Sequence, residues 1–233
     1  MNLDTTTERR SALEARYAPW QPRTTAQLFD EVAAQYPERP FVLCDDRTYT
    51  YTEMGRWSVR LAAGLLALGV RPGDHVAVDM ANFADFIALK IAVARVGAVS
   101  VAVNYLLRHE ELAYVLRQSD SCVLITMDEF RGLDYLDCLD RIAPGWEDHG
   151  GGDMLPRLRH VFVRPVNSDQ PRRGAPLSCL EAAGMAIPDE QIYAITRGVS
   201  ARTVSDIVYT SGTTGKPKGV MLVHDAVTRT AYG

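Results

Sequence analysis

The stretch Tyr209-Thr-Ser-Gly-Thr-Thr-Gly-Lys-Pro-Lys-Gly219 lies between two apolar runs, Ile207-Val208 and Val220-Met221-Leu222-Val223. It gathers four hydroxyl residues (Thr210, Ser211, Thr213, Thr214), three glycines and two lysines. No acidic residue occurs from Ile207 to His224, although the whole chain carries a formal charge of −4. Backbone N–H groups, hydroxyls and ammonium groups presented together are what a polyphosphate tail needs. Glycines let the backbone approach an anion closely and adopt positive φ.

This loop is not a Walker A loop. There, G-x-x-x-x-G-K is followed by Ser or Thr for magnesium and then by a helix. Here Gly215-Lys216 is followed by Pro217, which also resists helix formation. The residues after it, Gly219 to Val223, are strand formers. The pattern therefore predicts a strand–loop–strand phosphate clamp.

Upstream, the chain reads as alternating helices and strands. Thr25 to Tyr36 forms a helix capped by Thr25 and ended by Pro37. Phe41 to Cys44 and Thr48 to Tyr51 make a hairpin across Asp45-Asp46-Arg47. Thr52 caps the next helix, whose stripe is Met54, Trp57, Leu61, Leu65 and Leu68. Gly69 stops it, and Arg71 to Asp74 is a turn. His75 to Met80, Ala98 to Val103 and Cys122 to Thr126 read as strands, separated by helices over Phe83 to Val96 and His109 to Gln118. Strand, helix, strand, helix, strand is the signature of a parallel α/β sheet.

Asp128 to Ile142 reads as a helix. Its acids Asp128, Asp134, Asp137 and Asp140 suggest a metal, but interleaved Arg131 and Arg141 favour a solvated face. Ala143 to Pro156 is a glycine-rich surface loop or a join, His160 to Val166 a strand, and Asn167 to Pro176 a loop whose arginines serve solubility. Leu177 to Gly184 and Asp189 to Arg197 are helical, and Val204 to Tyr209 is the strand that delivers the phosphate loop.

The chain has 233 residues, 47% hydrophobic and 23% charged, an ordinary globular composition long enough for a large core. Its mild acidity argues against a general nucleic-acid or anionic-membrane binder. Cys44, Cys122, Cys138 and Cys179 are scattered, so reduced thiols are expected, buried at Cys44 and Cys122. The histidines show no metal-ligand spacing. No apolar signal region opens the chain and no stretch reads as a membrane span, so the expected location is the cytoplasm.

Residues Tyr209 to His224 resemble the phosphate-loop signature of the adenylate-forming superfamily: acyl-CoA synthetases, non-ribosomal adenylation domains and luciferases. Three upstream segments resemble the family's N-terminal segments in the same order: Tyr49 to Met54, Leu68 to Ala77 and Val96 to Val99. Val103-Asn104 with Arg108 to Leu116 is closer to acyl-CoA synthetases than to amino-acid adenylation domains. The resemblance runs from about Thr25 to the end.

It implies an α/β fold of layered, mainly parallel β-sheets with helices on both faces, the first part of the large N-terminal domain. Residues 1–24 would be a surface arm and 25–233 a partial AMP-binding domain, with a loop-rich join around 143–156. The implied function is that of a carboxylate–CoA ligase. Carboxylate and ATP form an acyl adenylate with pyrophosphate release, and the acyl group then passes to CoA. Such chemistry uses ATP, Mg2+ and CoA as co-substrate, and a medium- or long-chain fatty or alicyclic acid is the leaning. By resemblance Thr210, Ser211, Gly212, Thr213, Thr214, Gly215 and Lys218 hold the nucleotide. Thr210 helps hold magnesium, and Lys218 is the candidate catalytic residue.

Lys216 is read as a solvated charge and His224 as structural. Ala226 stands where the family often has Asn. The family's chain continues well beyond the position of Gly233, through the adenine contacts, most of the acyl pocket and a small mobile domain, so the 233-residue chain alone is expected to lack ligase activity. The other reading is a stand-alone nucleotide-binding or interaction module without ligase chemistry.

Overall fold

The computed structural model describes residues 6–16, 20–44, 47–210 and 216–232. An exposed helix, α1 (Thr6–Arg16), precedes α2 (Thr25–Gln35), the hairpin β1 (Pro40–Leu43) and β2 (Thr48–Thr50), and α3 (Tyr51–Ala67). Then come β3 (His75–Asp79), α4 (Ala84–Arg95), β4 (Val99–Val103), α5 (His109–Gln118) and β5 (Val123–Met127). A short hairpin, β6 (Glu129–Phe130) with β7 (Leu133–Asp134), leads into α6 (Tyr135–Ile142) and α7 (Trp146–His149). The chain continues through β8 (His160–Arg164), β9 (Ala175–Pro176), α8 (Leu177–Ala183) and α9 (Asp189–Gly198). It reaches β10 (Val204–Tyr209), β11 (Gly219–Val223) and α10 (His224–Tyr232).

The main sheet has seven strands in the order β11-β10-β4-β3-β5-β8-β9. Every pairing is parallel except β10 with β11. Val76, Val78, Val123 and Ile125 point into one core with α2, α3, α4, α8 and α9. Ala77, Val99, Val101 and Leu124 point into the other with α5, α6 and Trp146 of α7. This two-sided burial is why the strands read as nearly continuous apolar runs. The expected α/β architecture is the one found.

Helix α4 lies between the sheet and the outer helices, so it is apolar almost all round. Its last residue, Arg95, is fully buried, with two nitrogens 2.7 and 2.9 Å from the Asp30 carboxylate and Nε 2.9 Å from Ser58 Oγ. Such a forked pair satisfies a charge that burial would otherwise penalise.

Several local readings need correction. The α2 cap is Thr24, not Thr25: Thr24 Oγ1 accepts from Gln27 N–H, and Gln27 accepts from Thr24 N–H. The α3 cap is likewise Thr50, not Thr52, in a box with Glu53, while the Thr52 hydroxyl donates to Pro37 O. In each case the residue three positions on decides the cap. Asp128 to Ile142 is not one helix. Arg131 (φ 49°) and Gly132 (φ 78°) turn the chain back, and Asp134 caps α6 by accepting from Leu136 and Asp137 N–H.

The expected solvated face holds for Asp134, Asp137 and Asp140, whose side chains are half-exposed and paired with arginines, and fails at Asp128. Asp128 is buried and accepts from the Glu129 and Val166 N–H groups, and Asp140 holds Arg173 and the Trp146 indole. Among the described residues no group of three His, Cys, Asp or Glu could hold a metal. Arg172 pairs with Asp134, and Arg173 with Asp140 and Glu147, so the loop arginines tie elements together. Residues 143–156 carry α7 and bury Trp146 and Leu155 in the second core. Cys122 is buried, but Cys44 is only half-buried, and the four thiols are free.

Candidate functional site

Ligands of open α/β sheets bind beyond the carboxyl ends of the strands, where neighbouring connections leave on opposite faces. Here β3 leads to α4 on one face and its neighbour β4 leads to α5 on the other. Strand β10 runs parallel to β4, with Asp206 opposite Ser100 and Val208 opposite Ala102, so its carboxyl end reaches the same edge. The phosphate loop therefore leaves the sheet where chemistry is expected.

Buried polar groups hold that strand. Lys90 of α4 pairs with Asp206, whose other oxygen accepts from Ser205 Oγ at 2.7 Å. The charges thus clip β10 to the helix behind it. At the far end of β11, His224 is buried, and its Nδ1 lies 3.4 Å from the Thr25 N–H. Burial lowers the imidazole pKa to about 4, aided by Lys90 and opposed by Asp206, so the ring is neutral near pH 7. Thr228 Oγ1 donates to Arg23 O, and the Trp20 indole donates to Asp225 Oδ1 at 2.7 Å. These contacts give His224 a place in fastening α10 to the start of α2.

Strands β10 and β11 are antiparallel, with Tyr209 opposite Gly219. The loop is thus strand–loop–strand, as Pro217 requires. Thr210 N–H donates to Lys218 O at 3.1 Å and closes the neck. Tyr209 folds towards α5, where its hydroxyl donates to Gln118 Oε1 and lies 3.5 Å from Val115 O. Burial raises the hydroxyl's pKa. A Cβ on Gly219 would stand 2.9 Å from Ile207 Cγ2 and 3.3 Å from the Tyr209 ring, so the neck is tight at that position.

Of the sequence-predicted residues, Thr210 and Lys218 stand at the two sides of this neck, both exposed. Ser211, Gly212, Thr213, Thr214 and Gly215 lie outside the described residues. Lys216 is exposed and rests with Nζ 5.2 Å from the Tyr114 ring centroid. Beside the neck a cleft of about 390 Å³ is lined by Asn104, Glu111, Val208, Tyr209, Thr210 and Pro217, among others. A roomier hollow of about 790 Å³ lies at the opposite, amino-terminal ends of β3, β4 and β10, away from the loop.

One group at this edge escaped the sequence reading. Asp79, the last residue of β3, is buried, with Oδ2 3.3 Å from Thr126 Oγ1 and Oδ1 without a partner among the described residues. Burial raises its pKa to about 7, against the Thr126 hydrogen bond. The available signal was one acid inside the apolar run His75 to Ala81.

The sequence profile of the AMP-binding enzyme family matches residues 29–233. YngI, an acyl-CoA synthetase-like protein of Bacillus subtilis (strain 168), is 34% identical over 206 residues, covering 86% of this chain and 37% of YngI. The mitochondrial medium-chain acyl-CoA ligase ACSF2 of Danio rerio is 30% identical over 220 residues, covering 92% and 36%. The anthranilate CoA ligase AuaEII, solved with anthranoyl-AMP, superposes with a TM-score of 0.73 at 20% identity, over 91% of this chain and 37% of that one. That likeness concerns the fold. The chain spans little more than a third of the length of these curated relatives. Among the described residues no helix is long and apolar enough to cross a membrane. With its family profile, its sheet order and its hairpin loop in agreement, the chain belongs to the AMP-binding enzymes, the adenylate-forming superfamily.

Proposed function

We propose that this chain supplies the phosphate clamp of an ATP-dependent carboxylate–CoA ligase, which makes an acyl adenylate with release of pyrophosphate and passes the acyl group to CoA. The observation that carries the proposal is the closed hairpin neck at the carboxyl edge of the sheet, with Thr210 and Lys218 on its two sides. The relatives that are acyl-CoA ligases support the reaction class. In such a reaction negative charge moves onto the departing pyrophosphate, so donors fixed beforehand stabilise the transition state more than the ground state. Lys218 brings an ammonium group to the loop, and the residues 211–215 bring the glycine backbone and hydroxyls. Magnesium would be held through the ATP phosphates, with Thr210 as a protein-side donor, and would neutralise charge on the tail. CoA and the carboxylic acid complete the substrate set.

The test is equilibrium binding of Mg-ATP to the 233-residue chain. Lys218→Ala is expected to weaken binding about tenfold, the loss of one charge-assisted contact. A chain that does not bind Mg-ATP, or a variant that binds it equally well, removes the clamp assignment. Pyrophosphate exchange by the chain alone is expected to be absent, and turnover there would show that the clamp needs no further partners.

A further inference from the structure

Both legs of the phosphate-loop hairpin rest on one helix. On the β10 leg, the Tyr209 hydroxyl donates to Gln118 Oε1 and approaches the Val115 carbonyl. On the β11 leg, just past residues 211–215, the Lys216 ammonium lies over the Tyr114 ring. Tyr114 and Gln118 are four positions apart on α5 and so share a face. The Thr210–Lys218 rung ties the legs to each other between these anchors.

We propose that Tyr114 and Gln118 are positioning residues for the phosphate loop. Helix α5 grips the hairpin from both legs, and Lys216 serves by resting on Tyr114, not by touching the polyphosphate. The proposal rests on the reading of this loop as the holder of the ATP tail. Its physical basis is conformational entropy. Conformational freedom that a binding segment loses on taking up its ligand subtracts from affinity. Fixing both ends beforehand reduces that loss. An exposed lysine over the half-buried Tyr114 ring is a weak contact, worth about a 2- to 5-fold change in an equilibrium.

The test is titration of inorganic tripolyphosphate into the 233-residue chain, at a temperature where circular dichroism shows each variant folded. Y114L and K216A are each expected to weaken binding about 2- to 5-fold, and the double variant no further than either. Y114F keeps the ring and is expected to bind like the parent chain. Q118L should weaken binding similarly and add nothing on a Y209F background. If Y114L does not fold, Y209F, which removes only a hydroxyl, carries the test through Gln118.

Unchanged affinity in folded Y114L and Q118L makes the contacts merely structural and overturns the proposal. Additive losses in Y114L/K216A, or tighter binding by Y114L, place Lys216 on the phosphates and overturn it too. A parent chain that binds no tripolyphosphate instead fails the nucleotide reading beneath it, and the proposal falls with that reading.

Discussion

Asp79→Asn is expected to stabilise the chain at pH 8 by about 4 kcal/mol at most, and to leave its stability nearly unchanged below pH 4. Asp79 is buried at the end of β3, and its carboxyl pKa is raised from 3.8 to about 7 by burial. Below pH 3.8 the carboxyl is protonated in both the folded and the unfolded chain, and ionisation costs nothing. Between 3.8 and 7 the unfolded chain releases its proton while the folded chain keeps it. Stability therefore falls as pH rises through this window, by about 1.4 kcal/mol per unit. Asparagine keeps the size and the Thr126 contact and cannot ionise. Its amide places two unpaired N–H donors where the protonated acid has one O–H, a small loss at every pH that makes about 4 kcal/mol an upper bound. Urea unfolding of both chains from pH 4 to pH 8 checks this. Parallel profiles would mean that Asp79 finds a counter-charge or water that lets it ionise.

The second large effect is steric. A Cβ on Gly64 would sit 2.0 Å from Leu180 O and 2.8 Å from Leu180 C. One on Gly184 would sit 2.4 Å from Gly64 N. Helix α3 thus meets α8 and its end backbone to backbone, and the nearest atoms in the way are main-chain atoms that no side-chain rotation can clear. Gly64→Ala must part the two elements, which costs about 3 kcal/mol or more, well beyond the roughly 1 kcal/mol that alanine gains in a helix. At about 2–4 °C per kcal/mol for a chain of this size, the melting temperature should fall by roughly 6–12 °C. Gly198→Ala is the control. That position, the last residue of α9, has no atom within 4 Å of a Cβ, and its variant should melt with the parent or a few degrees above it. Equal melting of both variants would show that the crossing gives way at no cost.

What the sequence disclosed and what it withheld follow from the range of the forces involved. The hairpin loop was legible because Pro217 and the strand formers after it act locally. So was the alternation of strands and helices from His75 to Thr126, since burial on two faces leaves uninterrupted apolar runs. The caps were misplaced by one or two residues because adjacent threonines compete, and the arbiter is a reciprocal bond from Gln27 or Glu53. The β6–β7 turn was hidden because Arg131 takes a positive φ, and nothing in its identity advertises that. Asp79 was passed over because one acid in an apolar run carries no periodicity. The seating of β10 beside β4 leaves no local trace at all. Of the site itself, the sequence named the loop, and only the packing revealed that α5 lies under both of its legs.

That seating sets an order of events in time. Strands β3, β4 and β5 join through short connections, whereas the contact of Ser100 with Asp206 must close a long loop of chain before it yields any stabilisation. The β10–β11 hairpin is accordingly expected to assemble later than β3, β4 and β5 and to open more readily. In native-state hydrogen exchange, the β10 and β11 amides are expected to exchange through a cheaper opening than those of β3 and β5. If the hairpin holds nucleotide as proposed, and only in its closed form, added nucleotide should slow exchange there first.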